Sequence, residues 1–259
     1  MSARYDELAG RLALVTGAGR GIGKAIARAF GDQRMRVVVN DVDEERASST
    51  AEELRSAGVE ATAAAADVSD REAVRAMIRE TSAAHGEIDV LVNNAGINVV
   101  APLVELTDEV WERTQRVHHW GFFYCAQEVL PAMASRGHGS VVVVSSPAAE
   151  ETYEGQTHYA AAKAGLQMLA FGAAWELGRA GVRTNVVSPG WIETELNREY
   201  LWAEPDLRDR VVRQIPLGRT GTPEDVARAV VWLCSDEAAY VNGAVLRVDG
   251  GLTVGRLKA

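Results

Sequence analysis

Cysteine is nearly missing from this chain. Cys125 and Cys234 stand far apart in apolar segments, FFYCAQ and VVWLCSD. No disulfide framework follows from two such residues, and no Cys/His cluster has metal-ligand spacing, so no metal is expected. Both read as small core residues of a protein in a reducing compartment. Long apolar runs are missing too: none approaches the roughly 18 residues that a membrane span needs. The N-terminal MSARYDELAG lacks the basic-then-apolar order of a secretory signal. A cytoplasmic protein with no membrane partner is therefore expected. Positive charge is in short supply, with 27 Lys and Arg against 36 Asp and Glu and a formal net charge of -9. The basic residues are scattered, which argues against nucleic acid as a partner. Repeats, low-complexity tracts and an interdomain linker are also lacking. The 259 residues suit one large α/β domain, residues 1–259.

What the chain does have is alternation. Apolar, largely β-branched runs recur at 11–17, 36–41, 61–68, 88–96, 139–146, 182–190 and 244–251. Several are nearly continuous in Val and Leu, as in parallel strands covered on both faces. The run at 61–68 is the weakest, since five of its residues are Ala. Helical periodicity fills the gaps. The segment 43–58 ends on Gly58, and the segment 69–86 opens with Ser69 as N-cap. Long helices are expected over roughly 107–135 and 157–180. This order predicts βαβ units in one doubly wound, three-layer sheet. Residues 191–222 break the rhythm after a strand end. They read as a lid over a ligand crevice, or as a surface helical excursion packed through Leu196, Leu201, Val211 and Ile215.

The turn TGAGRGIG follows the first strand and opens a helix. Its spacing is T-G-x-x-x-G-x-G, since Ile22 stands where G-x-G-x-x-G would place a last Gly. Gly17, Gly21 and Gly23 lack the Cβ that would obstruct a tight turn or a close ligand. The helix N-terminus beyond offers unpaired N–H groups to a pyrophosphate. Asp41 closes the second strand, 18 residues beyond Gly23. A carboxylate there can accept both ribose hydroxyls and would repel a 2′-phosphate, which favours NAD over NADP. Arg20, inside the turn, is the counter-signal for NADP. Asp41 could instead cap the helix over 43–57.

The stretch QTHYAAAKAG puts Tyr159 and Lys163 four residues apart, one turn apart on a helical face. Together with TGAGRGIG, NNAG (93–96), Ser146, YAAAK (159–163), SPG (188–190) and VDGG (248–251), it resembles the short-chain dehydrogenase/reductase family in order and spacing. The resemblance covers essentially the whole chain. It implies a Rossmann-type fold with a seven-stranded parallel sheet, a homotetramer, and hydride transfer between a nicotinamide and a carbonyl or alcohol. It further implies Tyr159 as general acid/base and Lys163 as the group that lowers the phenol pKa and holds the nicotinamide ribose. Ser146 would hydrogen-bond the substrate oxygen. Asp67 and Val68 would line the adenine, Asn94 and Gly96 the adenosine side, and Ile192 and Thr194 the carboxamide; Ile22 lies in the phosphate turn. An unperturbed phenol, with a pKa near ~10, is a sluggish base at neutral pH, which is why a neighbouring ammonium is needed.

One position departs from the family pattern. Relatives carry an Asn seven residues after the Trp of the preceding helix, where it distorts that helix and helps place a water that links the Lys to solvent. Counting from Trp111 lands on His118, followed by His119. His118 either replaces the Asn as orienter or relay, or fills space, or leaves the relay impaired and the natural reaction slow or specialised. The substrate pocket is expected from Asn98, Ala148, Ala149, Glu150, Tyr153, Trp191 and Trp202. HYAAAKAG is similar to sugar dehydrogenases of the family and almost equally to ketoacyl reductases, so a sugar or polyol stands beside a 3-ketoacyl or polyketide-type ketone. Two rivals from other classes are a methyltransferase, whose last strand is typically antiparallel, and a non-catalytic dinucleotide sensor.

Overall fold

Seven strands form one parallel sheet: β1 (Leu12–Val15), β2 (Arg36–Asp41), β3 (Ala61–Ala65), β4 (Val90–Asn93), β5 (Gly139–Val144), β6 (Val182–Pro189) and β7 (Val245–Val248), in the order β3-β2-β1-β4-β5-β6-β7. The structure is a computed structural model that describes residues 3–195 and 206–255. Every pairing is parallel, including β6 with β7, which removes the methyltransferase alternative. Alternate residues of a strand point to opposite faces. Ala13 and Val15 accordingly enter one core with Ile26, Phe30 and Val230, while Leu12 and Leu14 enter the other with Ile78, Phe122, Met133 and Leu166. Burial on both faces explains the continuous Val/Leu runs of β1, β4 and β5. The Ala-rich β3 is an edge strand, only partly covered, and needs less apolar bulk.

Helices α1 (Gly21–Asp32), α2 (Glu44–Ser56), α3 (Arg71–His85), α4 (Asp108–Gln115), α5 (Gly121–Arg136), α6 (Thr157–Leu177), α7 (Leu207–Gln214) and α8 (Pro223–Cys234) cover the two faces and the crevice. Two cap assignments change. Asp70, not Ser69, caps α3, accepting from the N–H groups of Glu72 and Ala73. Asp43, not Asp41, caps α2, accepting from Arg46 N–H. In both places adjacent or near-adjacent residues compete for one role, and the carboxylate that reaches the N2 or N3 amide wins. The expected helix over 107–135 is α4 and α5 joined through a π-turn at Arg116–Trp120. Helix α6 runs as expected and tightens to a 3-10 turn over Gly178–Ala180.

The strand order reverses between β1 and β4, where the connections leave in opposite directions and open a crevice beyond the strands' C-terminal ends. Among the described residues no helix is long and apolar enough to cross a membrane, and no cluster of His, Cys, Asp or Glu could hold a metal ion. Cys125 and Cys234 are free and buried.

Candidate active site

One wall of the crevice is the turn after β1. The Thr16 hydroxyl donates to Val92 O and accepts from the N–H groups of Asn94 and Ala95, each at 3.0 Å. The Asn94 amide donates to Thr16 O and Gly17 O at 2.9 and 3.0 Å. The β1 turn and the NNAG segment are thus one hydrogen-bonded unit, and Asn94 is spent on holding it. Gly17 and Gly21 adopt φ of 60° and 54°, which favours glycine. A Cβ on Gly23 would lie 2.3 Å from Gly17 O. The N-cap residue of α1, Arg20, makes no side-chain cap, and the first turn holds no acid. Its leading N–H groups are therefore free for an anion, and the turn fits a dinucleotide pyrophosphate.

Asp41 ends β2 and is almost buried. Its carboxylate accepts from Gly19 N–H at 3.0 Å and from Asp43 N–H at 3.1 Å. The negative charge is locked against the turn by backbone donors, with Arg20 exposed nearby in sequence. A Cβ on Gly19 would meet the Asp41 carboxylate at 2.7 Å. Gly19, one of the four glycines of the turn, and Thr16, which opens the T-G-x-x-x-G-x-G spacing, thus join the site. Asp67 accepts from Ser69 N–H at 2.8 Å, and Val68 is buried against Gly121. Thr194 reaches back over the turn, with its methyl 3.3 Å from where a Gly21 Cβ would stand. Ile192 points into the core and bridges to Gly221 through its backbone.

The other wall is α6 with the turn after β5. Ser146 caps the short turn Pro147–Ala149, accepting from Ala148 N–H at 3.2 Å, and stands beside the Tyr159 phenol. Lys163 lies one turn further along α6. Its Nζ is 5.6 Å from the Tyr159 ring centroid and donates to Val144 O at 2.9 Å. Burial pushes the Lys163 ammonium down to a pKa of about 7. Burial raises the Tyr159 phenol above its ordinary value, and the neighbouring Ser146 hydroxyl only opposes that rise. The expected lowering of the phenol pKa is therefore not what this geometry produces: desolvation outweighs it while the ammonium is turned to Val144.

His118 sits in the π-turn, fully buried, where π-turns tend to mark functional positions. The helix distortion expected of an Asn is present with imidazole in its place. His118 Nε2 lies 2.9 Å from Ile97 O, and its ring meets the Tyr159 ring edge-on at 5.6 Å. Among the described residues its buried Nδ1 has no hydrogen-bond partner. Burial first, and the Lys163 charge second, press His118 down to a pKa of about 3, so the ring is neutral. Gly96 makes room for it: a Cβ there would stand 2.6 Å from His118 Cε1.

Around the mouth, Ala101 N–H donates to Gly155 O, which joins the loop after β4 to the segment before Tyr159. Val99, Val100 and Tyr153 are exposed along this seam. Ala148 is buried, and Glu150 is paired with Arg247 of β7. Of the 191–222 segment, Val211 and Ile215 pack with Trp191, Leu207 and Leu252 in a small separate cluster. Glu193 accepts from Thr220 and Arg208. Leu196, Leu201 and Trp202 lie outside the described residues.

Known proteins resemble this chain over nearly its whole length. A family model described as enoyl-(acyl carrier protein) reductase matches residues 17–253. The chain is 40% identical to 3β-hydroxysteroid dehydrogenase 1 of Eggerthella lenta over 252 residues, 96% of each protein. It is 37% identical to a 3-oxoacyl-acyl-carrier-protein reductase of Thermotoga maritima over 247 residues, 95% of this chain and 99% of that protein. A gluconate 5-dehydrogenase from Burkholderia cenocepacia, solved in complex with NADP and tartrate, superposes with a TM-score of 0.92 at 39% identity, covering 96% of this chain and 98% of that one.

Proposed function

Because the chain belongs to the short-chain dehydrogenase/reductase family and is an oxidoreductase acting on CH–OH groups, we propose that it interconverts an alcohol and a ketone with Tyr159 as the proton-exchanging group and NAD(H) as the preferred cofactor. The carrying observation is the Tyr159 phenol beside Ser146, with Lys163 one turn on and its Nζ 5.6 Å from the Tyr159 ring, across from a glycine turn whose N-cap side chain makes no capping hydrogen bond. A bound nicotinamide supplies the hydride acceptor or donor. The free N–H groups of Gly21, Ile22 and Gly23 hold its pyrophosphate, Asp41 holds the adenosine ribose, Asp67 and Val68 border the adenine, and Thr194 with the Ile192 backbone borders the carboxamide. Gly96 and the braced Asn94 shape the wall between them.

Ser146 orients the substrate oxygen. A phenol kept protonated by burial is poised to donate at Oη as an alkoxide forms, so ketone reduction is favoured near neutral pH. Lys163, with a pKa of about 7, exchanges protons in the same range once turned from Val144 toward the phenol. His118 holds the NNAG segment through Ile97 O and steadies the Tyr159 ring. With the triad complete, a purely sensing role is disfavoured.

For substrate, a sugar or polyol is the first reading, in keeping with the gluconate 5-dehydrogenase relative. The exposed Val99, Val100 and Tyr153 favour a second, a bulkier ketoacyl or steroid-like ketone. The lid role of 191–222 belongs to this proposal, as does cytoplasmic residence. So does a homotetramer: Trp120, Phe123, Met168, Leu169 and Trp175 leave apolar surface exposed on α5, α6 and the π-turn. The test is absorbance of reduced nicotinamide across a panel of polyols, ketoacyl thioesters and steroid ketones, with NAD(H) and NADP(H). Tyr159→Phe is expected to lower turnover about a thousandfold with cofactor binding intact. Turnover that survives this change would refute the assignment.

A further inference from the structure

Two imidazoles stand side by side on the π-turn and are tied to opposite walls of the crevice. His118 Nε2 is 2.9 Å from Ile97 O, just past β4. His119 Nε2 is 2.8 Å from Ala162 O, inside α6 and one residue before Lys163. A carbonyl oxygen can only accept, so His119 Nε2 carries the proton and donates, whereas His118 Nε2 stands between Ile97 O at 2.9 Å and Ile97 N–H at 3.3 Å. Each ring also fills the space that a methyl would need on a facing glycine. A Cβ on Gly96 would stand 2.6 Å from His118 Cε1, and one on Gly165 would stand 2.6 Å from His119 Nε2.

The His119 bond is not needed to satisfy Ala162, because a mid-helix carbonyl already accepts from the N–H four residues on. Nor does His119 need it to escape burial, since the residue is only partly buried and could donate to water. The contact instead fixes α6 against the π-turn at the level of Lys163. Consecutive helical residues point about 100° apart, so one turn can address both walls at once. We propose that His119 is a positioning residue for the cofactor-facing side of α6: its bond to Ala162 sets where Lys163 stands relative to the NNAG wall that His118 holds. The inference rests on the reading of Lys163 as the nicotinamide-ribose ligand. Such a ligand must be held within about 0.5 Å to act, and a bond one residue away on a rigid helix supplies that constraint.

The experiment titrates NADH, followed by nicotinamide fluorescence, and ADP, which lacks the nicotinamide ribose, against the full chain and three variants. His119→Leu is expected to weaken NADH about fivefold and leave ADP unchanged. His119→Gln, whose Nε2 can donate at similar reach, is expected to restore NADH affinity to within about twofold. Gly165→Ala, which pushes the ring off its carbonyl, should reproduce the His119→Leu result. Unchanged NADH binding in His119→Leu, equal losses for NADH and ADP, or failure of His119→Gln to restore affinity would each overturn the proposal. Failure of the unsubstituted chain to bind NADH is a different result, and it would overturn the cofactor reading beneath.

Discussion

The two walls of the crevice are built by opposite means. The β1 turn is specified by missing atoms: Gly17, Gly19 and Gly23 each sit where a Cβ would collide with backbone, an amide or a carboxylate. Its ligands are backbone dipoles, and its one braced charge, Asp41, is held by two backbone N–H groups. The α6 wall is specified by large side chains that are present: Tyr159 and Lys163, with the paired imidazoles of the π-turn beside them, each touching another or a backbone carbonyl. A wall of backbone amides has no proton to exchange, whereas a wall of phenol, amine and imidazole does. The first wall should therefore fail by sterics and the second by protonation.

The steric half breaks hardest at Gly23. In Gly23→Ala the added methyl falls 2.3 Å from Gly17 O and 2.6 Å from the Asn94 amide, neither the end of a flexible chain. The turn must open and α1 must shift away from the pyrophosphate position. NADH affinity is expected to fall about a hundredfold or more, with about 1–3 kcal/mol lost from stability. Fluorescence titration and thermal melting check the two separately, and near-native NADH affinity would show that the turn can give. A smaller effect is expected at Asp41. Asp41→Asn keeps the side-chain shape but removes the charge facing a 2′-phosphate, so the ratio of NADP to NAD affinity should rise about tenfold. An unchanged ratio would hand cofactor choice to Arg20 instead.

The β1 wall was almost wholly legible in the sequence, because missing side chains leave a local trace. T-G-x-x-x-G-x-G marks the turn, and Asp41 follows at a fixed distance. The Tyr159–Lys163 spacing was legible for the same reason, since helical period is local. The π-turn was not: nothing in RVHHW distinguishes one hydrogen-bonding span from the next, and only the family pattern pointed to His118. The partners of His118 and His119, Ile97 and Ala162, lie 21 and 43 residues away, beyond any local reading. The direction of the Tyr159 shift was not legible because burial, its largest cause, belongs to the packed fold and leaves no trace in spacing. The caps slipped from Ser69 to Asp70 because both residues suit an N-cap and only backbone geometry separates them.

The protonation half is sharpened by His118→Asn. In the folded chain His118 stays neutral down to a pKa of about 3, against 6.5 for a free imidazole. The charges facing it are those of Lys163 and His158 from α6 and His119 from its own turn. All oppose protonation, and only the bond to Ile97 favours it. Between pH 6.5 and 3 the unfolded chain therefore binds a proton here that the folded chain does not, and stability falls as pH falls. The loss approaches about 1.4 kcal/mol per pH unit within that window and vanishes above it. Lys163 does not blur the comparison. Its pKa, lowered from 10.5 to about 7, makes stability rise with pH in a separate window above neutrality. Melting temperature recorded from pH 6.5 to 4 should thus decline less steeply in His118→Asn than in the unsubstituted chain, while Gly23→Ala, weaker throughout, should run parallel to it. Parallel curves for His118→Asn would mean that the imidazole takes up its proton inside the fold, and the contrast between a steric wall and a titrating one would fail at its most buried residue.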